Sequence, residues 1–572
     1  MSGKPPGGRL AALFVVLALS FVGVAARLVV LQVRDAAAYE ALARDQRIRR
    51  IPLPAARGSI FDRNFHELAL SLPARAVYAH PRLVENPGRT AAELAPLLGT
   101  KTWTLRRTLE ADAAFVYLAR RVDLEVARKV ERLNLAGIGF LDESKRYYPG
   151  QDLAAQLLGF VGIDDQGLAG LELQYDELLS GTGGTMVIEQ DPSGNPIPQG
   201  RERIVPPVPG RDVVLTIDAD LQFQAQRALE AAVAANGARG GTVVIMEPRS
   251  GRVLAMATAP SFDANAYSEA APDRTRNRSV TDVYEPGSVN KVITAAAAVE
   301  EGVVPLSETL AVPDNYLVGD KVFHDAHPHP PARMTLTDII AKSSNVGTIM
   351  VAQRVGKAML DRYLRRFGFG QPTGVGFPGE ADGILLPRDE WWSTSMGTIP
   401  IGQGIAVTPL QMASVYATVA NGGVRVIPTL VRGTVDEEGT FVRAPAPARR
   451  RVISERTARK LTGMLAQAVE AGTGLQAQIA RYWVAGKTGT ARKPLEGALG
   501  YSDQYVASFL GFVPAADPRL VVAAILDEPD TIYGGIAAAP LFREVTRFAL
   551  AHLGVPPARR PAVPPVAAEE GD

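Results

Sequence analysis

The sequence predicts an α+β protein held by a single N-terminal transmembrane helix. Three observations carry this expectation: a long apolar run near the amino terminus, a break dense in Pro and Gly close to residue 208, and beyond it an order of strands, a helical insert, more strands and a last helix. One antiparallel sheet with helices on its faces and a helical subdomain accommodates that order.

The apolar run comes first. From Leu10 to Ala26 all 17 residues are apolar or small, and after Arg27 the run resumes as Leu28-Val29-Val30-Leu31. This is long enough to cross a bilayer, which takes about 20 residues of helix. A cleaved secretory signal has a shorter apolar core of about 7–15 residues and a small-x-small site, for which Val24-Ala25-Ala26-Arg27 is a poor match. The expectation is a cytoplasmic tail at 1–9 and a retained transmembrane helix at 10–33, with Arg27 reaching the headgroups through its methylenes. Lys4 and Arg9 precede the span while Arg34, Arg44, Arg47, Arg49 and Arg50 follow it, so the positive-inside count is adverse. Large downstream domains translocate largely regardless of charge, and the body is expected outside the cytoplasmic membrane.

Residues 45–207 mix short β-like runs with turns, among them Arg57-Gly58-Ser59-Ile60-Phe61-Asp62-Arg63-Asn64, and a helix-like stretch near Ala91 to Leu98. Asp191-Pro192-Ser193-Gly194-Asn195-Pro196 and Pro206-Pro207-Val208-Pro209-Gly210 punctuate the chain and place a boundary near 208. In 208–554, Val213 to Ile217 reads as a strand and Leu221 to Ala235 as a helix. Gly241 to Glu247 and Arg252 to Thr258 read as a hairpin. Helices are expected at 288–301, 336–354, 408–421 and 453–470, then strands at Trp483–Thr490, Tyr505–Val513 and Leu520–Leu526, then a helix at 540–553. The tail 555–572 is rich in Pro and too poor in large apolar groups to pack.

The 572 residues allow about three domains. With 61 Lys+Arg against 60 Asp+Glu, the net charge of +1 gives no reason to expect a nucleic-acid partner. The absence of cysteine excludes disulfides, a thiolate nucleophile and a thiolate metal site.

Three short motifs carry chemistry. In Glu285-Pro286-Gly287-Ser288-Val289-Asn290-Lys291, the Pro-Gly turn sets Ser288 at a helix N-terminus, where free N–H groups favour developing negative charge, and puts Lys291 on the same face. A lysine desolvated in a cleft can lose its proton and serve as the base for a serine. Ser343-Ser344-Asn345 places three polar groups inside the expected helix 336–354, where they must find hydrogen bonds if buried. Lys487-Thr488-Gly489-Thr490 lies on an expected edge strand. There Gly489 permits close backbone approach and Lys487, Thr488 and Thr490 can bind a carboxylate. Each motif alone is ordinary: a capped helix with a surface lysine, a polar break, a surface strand. Together they occur in one order, 55 and then 144 residues apart, each on an element able to offer it to a common cleft.

This set of Ser-x-x-Lys, Ser-x-Asn and Lys-Thr-Gly is the signature of penicillin-binding proteins and class A β-lactamases, and the chain resembles a class B penicillin-binding protein over nearly its whole length. Arg57 to Asn64 resembles the opening motif of that family's non-catalytic pedestal, here 45–207, and Gly170-Leu171-Glu172 with Tyr175 resembles a later one. Tyr533-Gly534-Gly535 and Ala538 to Phe542 resemble the segment closing the penicillin-recognising serine-transferase domain, here 208–554. Asn277 to Asp282, and Asn345 where elongation-type members carry aspartate, resemble the division type, the FtsI family. Two departures stand out. Phe65 occupies a pedestal position usually glycine, so a positive φ cannot be assumed there, and Val289-Asn290 replaces a Thr-containing pair.

The resemblance implies a peptidoglycan D,D-transpeptidase with no metal or cofactor, acting in septal wall synthesis. Ser288 would attack the penultimate D-Ala carbonyl of a stem peptide, with Lys291 as base and Ser343 relaying a proton. Asn345 would hold the substrate amide, Lys487 would supply positive potential, and Thr488 and Thr490 would bind the terminal carboxylate. Backbone N–H groups of Ser288 and Thr490 would form the oxyanion hole. Implied partners are D-Ala-D-Ala stem peptides, β-lactams, an FtsW-type membrane glycosyltransferase and other division proteins. The alternatives are an elongation-type transpeptidase, a β-lactamase, for which no deacylating Glu-x-x-Leu-Asn stretch lies between Asn345 and Lys487, and a non-catalytic penicillin-binding scaffold or sensor. In His324-Asp325-Ala326-His327-Pro328-His329, imidazoles and a carboxylate crowd together, but the prolines favour a mobile loop over a metal site.

Overall fold

The computed structural model describes residues 7–36, 48–113, 115–189, 203–436, 438–495, 497 and 500–557. The expected tail beyond 557, the punctuation at Asp191–Pro196, and residues 1–6 lie outside the described residues. Gly7 to Arg9, expected as tail, are already helical. Val555, also assigned to the tail, is buried and its carbonyl accepts the Tyr482 hydroxyl at 2.6 Å, so packed chain extends that far.

By its internal contacts the chain divides into two compact units. One comprises Met1–Ala56 with Gly181–Pro209, the other Arg57–Ser180 with Gly210–Asp572. The first contains the apolar helix, whose segment Gly8–Arg34 is long and apolar enough to cross a membrane and has an apolar stretch with none of its residues buried. It also contains a three-stranded antiparallel sheet of Ile48–Leu53, Gly184–Glu189 and Arg203–Val205 in that order.

The second unit is built around a five-stranded antiparallel sheet in the order Val253–Ala259, Gly240–Met246, Leu520–Asp527, Tyr501–Val513 and Ala485–Pro494. Its central strands read as unbroken apolar runs because both faces are covered. Val243 and Ile245 face one core together with Leu221 of the helix Ala219–Ala235 and Phe542 of the helix Gly534–His552. Val244 and Met246 face the other, with Ile293, Leu410 and Leu461 from three further helices. Such a two-sided strand loses the alternation that a half-exposed one shows. The strand Ala485–Pro494 is the edge, as expected, so its outer side is free to border a cleft.

A second sheet joins the early motif to the later chain. Ile60–Phe61 pairs in parallel with Asp212–Leu215 and antiparallel with Glu67–Ala79, so the boundary expected near 208 falls between segments that share one sheet. Beneath it Glu172 accepts hydrogen bonds from Arg57 Nε at 2.7 Å and Arg146 Nε at 2.6 Å, all three side chains being almost wholly buried. Phe65 does take a positive φ, 66°, contrary to the reservation that its side chain raised. Its ring packs 6.0 Å from Phe441 and 6.2 Å from Phe61, with the Arg432 guanidinium 5.9 Å away. These contacts hold a β-carbon where glycine would cost nothing.

Candidate active site

The first motif forms as the Pro-Gly pair dictates. Gly287 has φ 58°, its N–H donates to the Gly402 carbonyl at 2.9 Å, and a β-carbon there would lie 2.9 Å from the Thr490 carbonyl oxygen. Only glycine lets this turn pack so closely on the edge strand. The chain then makes one 3-10 turn, Gly287–Asn290, and continues as the helix Lys291–Glu300. Ser288 is partly exposed on the wall of a cleft of about 820 Å³. Lys291 is wholly buried beneath it.

The Lys291 ammonium donates to the Ser343 carbonyl at 2.6 Å, to Asn345 Oδ1 at 2.7 Å and to Ser343 Oγ at 3.3 Å. Among the described residues no hydrogen bond joins it to Ser288. Burial drives its pKa well below the ordinary lysine value, the Lys487 charge pushes the same way, and Asp325 opposes both. A neutral amine keeps two N–H donors, enough for the Ser343 carbonyl and Asn345 Oδ1, and its lone pair remains to accept a hydroxyl proton.

The second motif differs from expectation. The helix expected at 336–354 is two helices, Leu336–Lys342 and Asn345–Val355, broken where Ser343 takes a left-handed conformation with φ 63°. Ser344 caps the second helix by accepting the Gly347 N–H at 2.9 Å. The break turns the Ser343 carbonyl and hydroxyl toward Lys291, which an unbroken helix would not do, since its carbonyls point along its own axis. Asn345 also donates through Nδ2 to the His324 carbonyl at 3.0 Å, so both ends of its amide are engaged.

The third motif lies on the edge strand in register with Leu510, Phe509, Ser508 and Ala507. Lys487 is 1% exposed and burial brings its pKa down to about 7. Its ammonium is 3.3 Å from the Thr488 carbonyl and 3.5 Å from Thr473 Oγ1. Thr488 Oγ1 lies 2.7 Å from Thr473 Oγ1, and Thr490 Oγ1 accepts the Gly534 N–H at 3.2 Å. What approaches Gly489 closely is the protein itself: a β-carbon there would lie 2.2 Å from Ser508 Oγ and 3.1 Å from the Pro286 carbonyl.

Of the expected site residues, Ser288, Ser343, Asn345, Thr488 and Thr490 line one cleft. Lys291 and Lys487 lie buried under it, and Gly489 packs the strand against the Ser288 turn. Three further side chains brace the motif segments, and none was legible in the sequence as doing so. Thr473, in the turn after the helix Glu455–Glu470, bridges Thr488 and Lys487, and its flanking Gly472 and Gly474 were the available signal. Glu285 accepts from the Gly404 N–H at 2.8 Å and the Tyr501 hydroxyl at 3.1 Å, and burial pushes its carboxyl pKa up. Asp325 accepts the backbone N–H groups of Asn345 at 2.5 Å and Val346 at 2.9 Å. The expected mobile loop at His324–His329 is therefore tied down on the cleft wall.

Among the described residues, Asp218, Asp220 and His552 alone bring three ligand atoms within 4.8 Å of one another. Asp218 there caps a helix by accepting the Leu221 N–H at 3.2 Å, and the same oxygen lies 3.0 Å from His552 Nε2.

Residues 241–547 match the family described as penicillin binding protein transpeptidase domain, and residues 52–215 the penicillin-binding protein dimerisation domain. Penicillin-binding protein PbpB of Mycolicibacterium smegmatis is 38% identical over 581 residues, covering 94% of this chain and 89% of that protein. Peptidoglycan D,D-transpeptidase FtsI of Escherichia coli K12 is 34% identical over 520 residues, covering 88% of this chain and 84% of that one. A crystal structure of penicillin binding protein 3 from Mycobacterium tuberculosis, complexed with aztreonam, matches with a TM-score of 0.71 at 34% identity, covering 89% of this chain and 98% of that chain.

Proposed function

The chain belongs to the class B penicillin-binding protein transpeptidases, and from that premise we propose that it crosslinks peptidoglycan stem peptides at the division septum, with Ser288 as the acylated nucleophile. The carrying observation is Lys291, buried beneath the Ser288 turn with its N–H donors committed to Ser343 and Asn345.

In this reading acyl transfer runs in two halves. Neutral Lys291 takes the Ser288 hydroxyl proton as Oγ bonds to the penultimate D-Ala carbonyl carbon. The oxyanion is met by the Ser288 and Thr490 N–H groups, each such donor being worth about 2.7–4 kcal/mol. The proton passes from Lys291 through Ser343 Oγ, 3.3 Å away, to the nitrogen of the departing D-Ala. An amine of a second stem peptide then attacks the ester, gives up its proton by the reverse path and restores the Ser288 hydroxyl. Lys487, Thr488 and Thr490 hold the donor carboxylate. Asn345 exchanges its His324 contact for the substrate amide.

Division rather than elongation is favoured by Asn345, which gives Lys291 a neutral acceptor, and by the FtsI relative. An FtsW-type glycosyltransferase is the partner that this role calls for, meeting the helix and pedestal, the latter taken as 45–207 beside a catalytic domain at 208–554. In this reading the Gly8–Arg34 helix, which is long and apolar enough to cross a membrane, passes the cytoplasmic membrane once and leaves the body outside. A phosphatase fused after Asp572 should be active outside, and a cytoplasmic carboxy terminus would end this reading. Penicillin should add its mass to the peptide carrying Ser288, and Ser288→Ala should abolish the adduct while the fold survives. Rapid multiple turnover of penicillin would instead mark a hydrolase.

A further inference from the structure

Asp325 stands outside the three motifs, yet it meets the second of them at its strained point. Its carboxylate Oδ1 accepts the N–H of Asn345 at 2.5 Å and of Val346 at 2.9 Å. These are the first two residues of the helix Asn345–Val355, whose N–H groups have no intrahelical acceptor and whose dipole favours an anion. Its other oxygen lies 3.0 Å from His329 Nε2, and the carboxylate side chain is only 8% exposed. His329 Nδ1 donates to the Pro330 carbonyl at 2.7 Å. With both ring nitrogens facing acceptors, the imidazolium is favoured and its pKa is raised, first by that carbonyl and then by Asp325.

We propose that Asp325 is a positioning residue for the transfer reaction: by gripping the first turn of this helix it holds the left-handed Ser343 break, and so fixes the Ser343 carbonyl and Asn345 Oδ1 on the Lys291 nitrogen. A left-handed conformation is unfavourable for a non-glycine residue and persists where its surroundings over-determine it. Ser344 supplies one restraint through Gly347. Asp325 supplies two more on the adjoining residues, and Asn345, one of those it holds, also ties back to the His324 carbonyl. The His329 contact restrains the carboxylate in turn.

The placement has a second consequence. The charged groups bearing on Lys291 are Lys487, which lowers its pKa, and Asp325, which raises it. That coupling acts through space whether or not Asp325 grips the helix, so the acid limb reports its charge and the plateau rate of the folded fraction reports its grip.

The inference rests on Lys291 acting as base. The test uses the full chain in detergent, following acylation by a fluorescent penicillin across pH, with thermal unfolding measured in parallel. Asp325→Asn keeps a neutral acceptor for the two N–H groups and should fold. Its plateau rate should fall about 10-fold, and Asp325→Ala about 100-fold, since a misplacement of about 1 Å costs that order. In Asp325→Asn the acid limb should move to lower pH, because Lys291 loses the carboxylate that favours its charged form. If the wild-type chain is acylated but Asp325→Asn shows an unchanged plateau, the positioning role is wrong whatever the limb does. A rate loss that vanishes on correction for folded fraction would equally overturn it, whether or not the limb moves, and leave a helix cap whose charge acts on Lys291. If the wild-type chain is not acylated, the transpeptidase reading fails and the inference goes with it.

Discussion

Lys291 Nζ and Asn345 Oδ1 are 2.7 Å apart, so the lysine of the first motif is held by the second motif and not by the serine three residues before it. Asn345→Asp would put a carboxylate on this contact. An opposite charge so close should raise the Lys291 pKa by about 1 unit or more. The acid limb of the acylation profile should move up by that amount, while Lys291→Ala should lower the plateau about 100-fold or more. An unmoved limb in Asn345→Asp would show that Lys291 does not set it.

Lys487 is buried, so it contributes packing as well as charge, and Lys487→Ala would confound the two. Lys487→Met keeps most of the volume. Burial brings the Lys487 pKa down to about 7 in the folded chain, against an ordinary value of about 10.4 when unfolded. Below the folded value both states hold the proton and the full cost of burying the charge is present. Between the two values only the unfolded state binds it, so this group makes stability rise with pH. Lys487→Met should therefore raise the melting temperature more at pH 6 than at pH 9, while acylation falls about 100-fold as cleft electrostatics are lost. A melting difference independent of pH would contradict the buried charge.

Phe65→Gly tests whether contacts outweigh strain. Removing the β-carbon at φ 66° relieves about 1–2 kcal/mol. The substitution forfeits two ring pairs at about 0.5–1.5 kcal/mol each, the Arg432 contact at about 0.5–1, and about 0.5–1 in unfolded-chain entropy. The losses are larger, and chemical denaturation should show a net destabilisation of about 2 kcal/mol. A more stable variant would mean that the half-exposed ring contributes little.

Glu172→Gln would leave Arg57 and Arg146 buried without their shared anion. Breaking a buried ionic network in this way costs about 3–5 kcal/mol, and denaturant unfolding should register it. Acylation of the remaining folded fraction should be unchanged, because none of the three lines the cleft.

Much of the site was legible because its signals are local. Pro286-Gly287 forces a turn, Ser288 and Lys291 sit one helical turn apart, and the apolar runs of the central strands follow from burial on both faces. The helix Lys357–Phe367 is absent from the sequence expectation, since Gly356 separates it from the preceding helix by a single residue. Asp325 was legible only as part of a histidine-rich loop, because its partners Asn345 and Val346 lie 20 and 21 residues away.

The sequence by itself determined the apolar helix, the five strands of the main sheet, and the three motifs with the chemistry of their side chains, since each depends on neighbours in the chain. Tertiary structure alone decided that the helix around Ser343 breaks, that Lys291 turns to Ser343 and Asn345, that both lysines are buried, and that Phe65 tolerates a left-handed conformation. Each of these places a group where it is unfavourable in isolation: a positive φ, a desolvated amine, a carbonyl turned out of its helix. Such placements are held only by contacts with segments far along the chain, such as Asp325, Thr473 and Phe441, and so they exist only once the chain has folded.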